Sequence, residues 1–294
     1  MRLIDRSRTA DPLAAGLAGL DRLDLPLPAS PGWLRRAWAV TWPPLLAIGI
    51  VLLAWQLVAW SGWRPAHVLP GPGVVLPRLL SDLTEDNLVL AIGITLRRAT
   101  LGFGLALAVG TAVGGAIVRF RLLRAAVSSL ITGLQTMPSI AWFPFAILLF
   151  GLTEQAILFV VVLGAAPSVA NGLIHGVDQI PRILRRAGTV LGARGIDAYR
   201  FVILPAAFPS FVGGMKQAWA FAWRSLMAGE LLVIIAHEPS LGVRLQFARE
   251  LSDAPGLLST MLVVLTMGAA VDLLGFGWMQ RRVRERWGLG EVTA

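Results

Sequence analysis

ATLGFGLALAVGTAVGGAIV, residues 99–118, contains no ionisable side chain. As an α-helix, about 20 such residues match the hydrocarbon core of a bilayer. Its glycines, Gly102, Gly104, Gly110, Gly114 and Gly115, suit close contact between helices inside lipid. Comparable runs lie on either side. The segment 37–63 has its densest apolar part at about 44–60. Residues 125–150 are interrupted by Pro138 and Pro144, and 155–174 follow directly. Residues 209–235 carry Lys216, Arg224 and Glu230, and about 257–279 carry Asp272. The expected fold is therefore an all-α membrane protein with about six spans.

Composition agrees. The 294 residues are 56% hydrophobic and 15% charged, with mean hydropathy +0.70; soluble domains carry roughly 25% charge. Residues 1–42 intersperse charges throughout and offer no apolar core for a cleavable signal peptide. The absence of cysteine excludes disulfides, thiolate metal sites and cysteine nucleophiles. No Ser/His/Asp arrangement, HExxH or carboxylate pair occurs in a span, so catalysis has no candidate residues. His175 and His237 sit near span ends and are expected to face headgroups.

The net charge of +9 reflects topology rather than nucleic-acid binding. Of the 26 basic residues, 18 fall in the two tails, the 2–3 connection and the 4–5 connection. Arg64, Arg78, Arg97, Arg98, Arg244 and Arg249 fall on the opposite side. The positive-inside rule places both termini in the cytoplasm. The expected organisation is a cytoplasmic N-terminal tail at 1–42, a transmembrane domain at 43–280 and a cytoplasmic tail at 281–294. Trp33, Trp38 and Trp42, interleaved with Arg35 and Arg36, read as an interfacial helix within the first tail. Leu13, Leu17, Leu20 and Leu23 form a weaker stripe upstream.

One basic residue alone is lysine. Lys216 lies in GGMKQ, and a phosphate-binding P-loop needs Gly-Lys-Ser/Thr. Any ATP-driven step requires another polypeptide.

The 4–5 connection is long, and residues 177–205 read VDQIPRILRRAGTVLGARGIDAYRFVILP. Pro181 opens a helix that Gly192 ends. Ile183, Leu184, Ala187, Val190 and Leu191 share one side at helical spacing. A second short helix, 196–203, runs into Pro205. Together they would form a knob able to enter a groove on a partner.

Arg186-Ala187-Gly188, then Gly192 and Ile203-Leu204-Pro205, resemble the EAA loop of bacterial ATP-binding-cassette importer permeases. That pattern is Glu-Ala-Ala-x3-Gly-x9-Ile-x-Leu-Pro. The interval from Gly192 to Pro205 matches, Ile203 lies one place later, Arg186 replaces the glutamate, and Gly188 replaces the second alanine. LPGPGVVL (69–76), TLRRATLGF (95–103), MPSIAWFP (137–144), FGLTE (150–154), MAGE (227–230) and SLGVRL (240–245) resemble the nitrate/sulfonate/taurine/bicarbonate branch.

The resemblance implies a type I importer permease fold with cytoplasmic coupling helices. The coupling loop would comprise Arg186, Ala187, Gly188, Gly192, Asp197, Ile203, Leu204 and Pro205. Two cytoplasmic ATPases carrying ATP and Mg would dock there, with no cofactor on this chain. A second permease copy would complete the pathway as a homodimer, and an extracytoplasmic binding protein would deliver the substrate. The location would be the bacterial cytoplasmic (inner) membrane.

Ionisable groups within spans mark candidate function. Lys216 and Arg224 would help an anion such as an aliphatic sulfonate, taurine or nitrate across. Alternatively, Lys216 snorkels towards the cytoplasmic interface and Arg224 pairs with Glu230 or Asp272. Glu230 is placed in the pathway or as a structural partner. The break at Pro138 frees carbonyls. Gln135, Thr136 and Ser139 would then line the route, with Trp142, Trp219 and Trp223 as apolar gates. Competing readings are a stand-alone anion channel or carrier, and a permease for a thiamine or riboflavin precursor.

Overall fold

The computed structural model describes residues 33–84, 86–236 and 238–287. The chain divides into two units after Ser61. In the first, α1 (Trp33–Trp60) continues through Pro43 and Pro44 without interruption. The interfacial helix expected at residues 33–42 is thus the first part of the same helix as span one. The leucine stripe and the rest of the 1–32 tail lie outside the described residues.

The second unit is all helical among the described residues. α2 (Pro72–Asp82) starts with proline in its first turn, where a missing N–H is harmless. α3 (Asp86–Arg119) begins thirteen residues before the run at 99–118. Arg97 and Arg98 had marked that stretch as a connection, but both are inside the helix and ion-paired: Arg97 Nη2 lies 2.8 Å from Glu154, and Arg98 contacts Glu230 and Glu238.

The third expected span, 125–150, is split. α4 (Arg121–Thr136) stops at Met137, whose ψ of 127° is the extended conformation enforced before proline. A 3₁₀ turn (Ser139–Trp142) and α5 (Phe143–Phe150) follow. α6 (Glu154–Asp178) is the central helix, and α7 (Arg182–Val190) leads into the connection.

The second short helix of that connection does not end at Pro205. A turn at Ile196–Ala198 and a π-turn at Tyr199–Ile203 merge into α8 (Leu204–Leu232). Pro205 reads as a stop because it cannot donate a backbone hydrogen bond. The wider π-turn absorbs the mismatch at the helix start. α9 (Leu241–Glu250) and α10 (Ala254–Ala270) follow, then a π-turn at Val271–Phe276 and α11 (Gly277–Arg286).

Among the described residues, five stretches are long and apolar enough to cross a membrane: Thr41–Trp60, Asn87–Arg119, Glu154–Asp178, Ile196–Leu232 and Ala254–Arg286. The broken pair α4/α5 occupies the place of the third expected span.

α6 organises the packing against α3 and α8. Its Ile157, Val160, Val161 and Val169 are fully buried, against Ala99 and Ala106 of α3 and Ala218, Ala222 and Leu226 of α8. Lipid is as apolar as these side chains, so small residues and dispersion hold the contact. A Cβ on Gly110 would come within 2.5 Å of the Ala166 carbonyl, and one on Gly172 within 2.6 Å of Gly214 Cα. Of the second span's glycines, Gly102, Gly110 and Gly114 serve this close approach, whereas Gly104 and Gly115 face open space.

Polar groups pin the end of the bundle opposite the 182–205 connection. Buried Asp82 accepts from Ser259 Oγ at 2.8 Å and pairs with Arg78 at 3.0 Å and Arg244 at 3.6 Å, tying α2, α9 and α10 together. Ser240 accepts from the Val243 amide and Asp253 from the Gly256 amide, capping α9 and α10.

Candidate functional site: the coupling segment and a polar track

The connection presents a built surface. Gly192 has φ +87°, the left-handed conformation that ends α7 without penalty only in glycine. Its amide donates to Thr189 O at 3.1 Å, and the Ala193 amide donates to Gly188 O at 2.9 Å, closing the turn. Ile183, Val190, Leu191 and Ile196 are exposed. An amphipathic helix with an open apolar side is suited to a partner's groove.

Gly188 is buried instead. A Cβ there would lie 2.8 Å from Val202 Cγ2, so the glycine in place of the family alanine makes room for Val202 of the π-turn. Arg186, Asp197, Leu204 and Pro205 are exposed, while Ile203 is half-buried. Arg186 therefore places a guanidinium on the surface where the pattern has a carboxylate.

The end of α11 reaches this segment: Trp287 Nε1 donates to Pro205 O at 2.9 Å, and its ring stacks on Phe208 at 5.7 Å.

Within the bundle, the ionisable residues separate into different roles. Glu230 is fully buried and fully engaged. It accepts from Thr95 Oγ1 at 3.0 Å, Arg98 Nη1 at 3.3 Å and the Gly242 amide at 3.1 Å. Thr95 Oγ1 in turn accepts from the Leu241 amide at 3.1 Å. This arrangement clamps the first turn of α9 and leaves the Glu230 carboxylate no free face. Of its two expected placements, the geometry is that of a structural partner.

Lys216 Nζ lies 3.2 Å from Asp272 Oδ2. That pairing engages Asp272, the partner expected for Arg224, with Lys216 instead. Arg224 instead donates Nε to Ala220 O at 3.0 Å and lies over the Phe221 ring at 4.7 Å. Among the described residues no carboxylate lies within ion-pair distance of it.

Arg224 lines a cavity of about 240 Å³ with Gln135, Thr136, Pro138, Ser139 and Gly164. The break at Pro138 thus brings four expected residues to one wall with Arg224. Arg224 also borders an open apolar groove of about 550 Å³, lined by Trp219, Trp223 and Asp272 among others. Trp219 stacks on Trp223 at 5.9 Å and is buried in the core. Trp142 packs on Phe145 and the core edge, away from the 240 Å³ cavity.

A third chamber of about 500 Å³ was not expected. Gln135, Asn171, His175, Gln179, Ser210 and Gln217 line it, floored by the Gly172–Gly214 contact. His175 therefore faces this chamber. His237 lies outside the described residues. The available signal was polar residues at helical spacing, Ser168, Asn171, His175 and Gln179 in an otherwise apolar span. Among the described residues, no group of His, Asp or Glu is arranged to hold a metal ion.

Residues 102–285 match the family described as binding-protein-dependent transport system inner membrane component. A probable ABC transporter permease protein of Brucella melitensis biotype 1 is 31% identical over 230 residues, covering 78% of this chain and 91% of that protein. The putative aliphatic sulfonates transport permease protein SsuC of Escherichia coli strain K12 is 28% identical over 241 residues, covering 82% and 89%. Among solved structures, the MetNI methionine ABC transporter in an inward-facing conformation shares the fold. Its TM-score is 0.57 at 20% identity, covering 67% of this chain and 96% of that one. The chain accordingly belongs to the binding-protein-dependent transport system inner membrane components: it is a multi-pass permease subunit of an ABC importer, a transport component served by a separate ATPase chain and a substrate-binding protein.

Proposed function

We propose that this permease carries a small oxyanion, with an aliphatic sulfonate the first candidate and taurine or nitrate next. The observation that carries this reading is Arg224. Lys216 and Arg98 are neutralised by carboxylates, whereas Arg224 opens into a polar cavity with Gln135, Thr136 and Ser139. Only Nε of its five N–H donors is used by Ala220. The remaining fork suits a sulfonate or nitrate group. The name of the Escherichia coli relative supports the same class.

Two copies of this chain would form the pathway as a homodimer. Two ATPases, holding ATP and Mg, would dock on the exposed face of α7 and the turn at 196–203. Both termini and this connection lie in the cytoplasm in this reading, as the arginine distribution indicates. Closure of the ATPases would rock the permease halves as rigid bodies.

The test is uptake of labelled ethanesulfonate, taurine and nitrate by cells expressing the importer. Arg224→Gln is expected to lower uptake by on the order of tenfold, with membrane insertion and ATPase co-purification intact. Unchanged uptake in that variant would remove Arg224 from the pathway.

A further inference from the structure

The polar side chains of the bundle interior are not scattered. On α8, Ser210, Gly214, Gln217, Phe221 and Arg224 step by four and three residues and so share one face. On α6 and its C-terminal cap residue, Gly164, Ser168, Asn171, His175 and Gln179 do the same. Beside the α6 stripe stands Gln135, one residue before the end of α4. Its Nε2 donates to Ser168 Oγ at 2.9 Å, and its Oε1 accepts from Asn171 Nδ2 at 2.8 Å. Gln135 lines both the Arg224 cavity and the 500 Å³ chamber. From Ser210 to Arg224 the face extends about 21 Å, roughly two-thirds of a hydrocarbon core of about 30 Å.

The two chambers differ in chemistry. The first offers a guanidinium. The second, next to the 182–205 connection, is lined by three glutamines, an asparagine, a serine and a histidine, with no acidic or basic carboxylate or guanidinium group among its lining residues. Neutral amide N–H and hydroxyl groups can replace the water around an oxyanion without trapping it. A carrier needs that balance: favourable enough to admit the ion, weak enough to release it. A volume of about 500 Å³ admits a small sulfonate with part of its hydration shell.

We propose that the chamber formed by Asn171, His175, Gln179, Ser210 and Gln217 is a second subsite for the transported oxyanion, sharing Gln135 as a common wall with the Arg224 chamber. The proposal rests on the pathway reading of Arg224. Uncharged donors then receive what Arg224 releases, on the side from which the ion leaves.

The absence of cysteine permits a direct test in the assembled importer. Single cysteines are placed at Gln217 and, in a separate protein, at Ser139. Each is modified with the anionic 2-sulfonatoethyl methanethiosulfonate and with its trimethylammonium counterpart, rates being normalised to a free thiol. At Gln217→Cys the anionic reagent is expected to be favoured by about fivefold, and excess ethanesulfonate is expected to slow it. Preference and protection at Ser139→Cys but neither at Gln217→Cys would overturn the subsite and leave the Arg224 pathway standing. Neither effect at either position would overturn the pathway reading, and the subsite with it. A second variant avoids dependence on cysteine reactivity. Gln217 is exposed to the chamber, so Gln217→Glu is expected to insert and bind the ATPase normally while uptake falls on the order of tenfold from like-charge repulsion. Undiminished uptake in Gln217→Glu would overturn the proposal.

Discussion

Lys216 Nζ and Asp272 Oδ2 stand 3.2 Å apart, joining α8 to the π-turn that leads into α11. Both side chains are partly exposed, so each retains some access to solvent or to a partner surface. An ionisable group left alone at this depth is costly. Lys216→Leu and Asp272→Leu are each expected to lower the thermal midpoint of the detergent-solubilised protein. The double variant should recover most of the loss, with a coupling of about 1 kcal/mol. Arg224→Leu combined with Asp272→Leu should show no such recovery, because Arg224 is bound to Ala220 O and Phe221 rather than to Asp272. Recovery in that second pair, and not in the first, would contradict the assignment.

The clamp on α9 gives a sharper stability effect. Arg98 and Glu230 are almost completely buried, and Glu230 also receives the Gly242 amide. Removing one member of a buried pair typically costs about 3–5 kcal/mol, because the other charge remains without its partner. Arg98→Leu should therefore destabilise more than either single change at Lys216 or Asp272. Glu230→Gln keeps an acceptor and should cost less than Glu230→Leu. Hydrogen exchange reads this locally: the Leu241 and Gly242 amides should lose protection in Glu230→Leu while those of α6 stay protected. Uniform loss across α6 and α9 would show that the clamp is not local.

The same residues explain what was legible in the sequence. The apolar runs placed the spans, because a bilayer demands uninterrupted helices of about that length. The start of α3 was missed because Arg97 and Arg98 look like a connection until their partners are known. Those partners, Glu154, Glu230 and Glu238, are far away in the chain, and local periodicity carries no trace of them. Asp82 was passed over for the same reason, its partners Arg244 and Ser259 lying on α9 and α10. Pro138 broke its helix as proline should, yet Pro205 sits in the first turn of α8 after a π-turn, and the carbonyl that Pro209 leaves free, Pro205 O, accepts from Trp287 Nε1. In the polar track, Gln135 and Ser139 were legible from the break beside them. Gln217 and Asn171 became meaningful only when two helices faced each other.

The orientation proposed from the arginine asymmetry can be read with one cysteine. Asp197 is exposed on the turn after α7, and the chain has no native thiol to compete. Asp197→Cys should resist a membrane-impermeant maleimide in intact cells and react in inverted vesicles. Reaction from outside intact cells would reverse the orientation and remove the cytoplasmic docking site.

Gly192 and Gly188 test the coupling segment in two different ways. Gly192 has φ +87° and open space around its Cβ position. Any penalty on substitution is therefore conformational rather than steric. Asparagine tolerates the left-handed region and a β-branched residue does not. Gly192→Asn should retain ATPase co-purification and transport, whereas Gly192→Val should weaken both, at a local cost of at least about 1 kcal/mol. Gly188 has ordinary helical backbone, but its Cβ would press on Val202 Cγ2 at 2.8 Å. Gly188→Ala should push α7 away from the π-turn and weaken docking, and adding Val202→Ala should restore it by vacating the space. Co-purification of the ATPase and coupled uptake measure both sets. Equal behaviour of Asn and Val at position 192 would exclude backbone conformation as the reason for that glycine. Failure of Val202→Ala to rescue Gly188→Ala would exclude the packing explanation for the other.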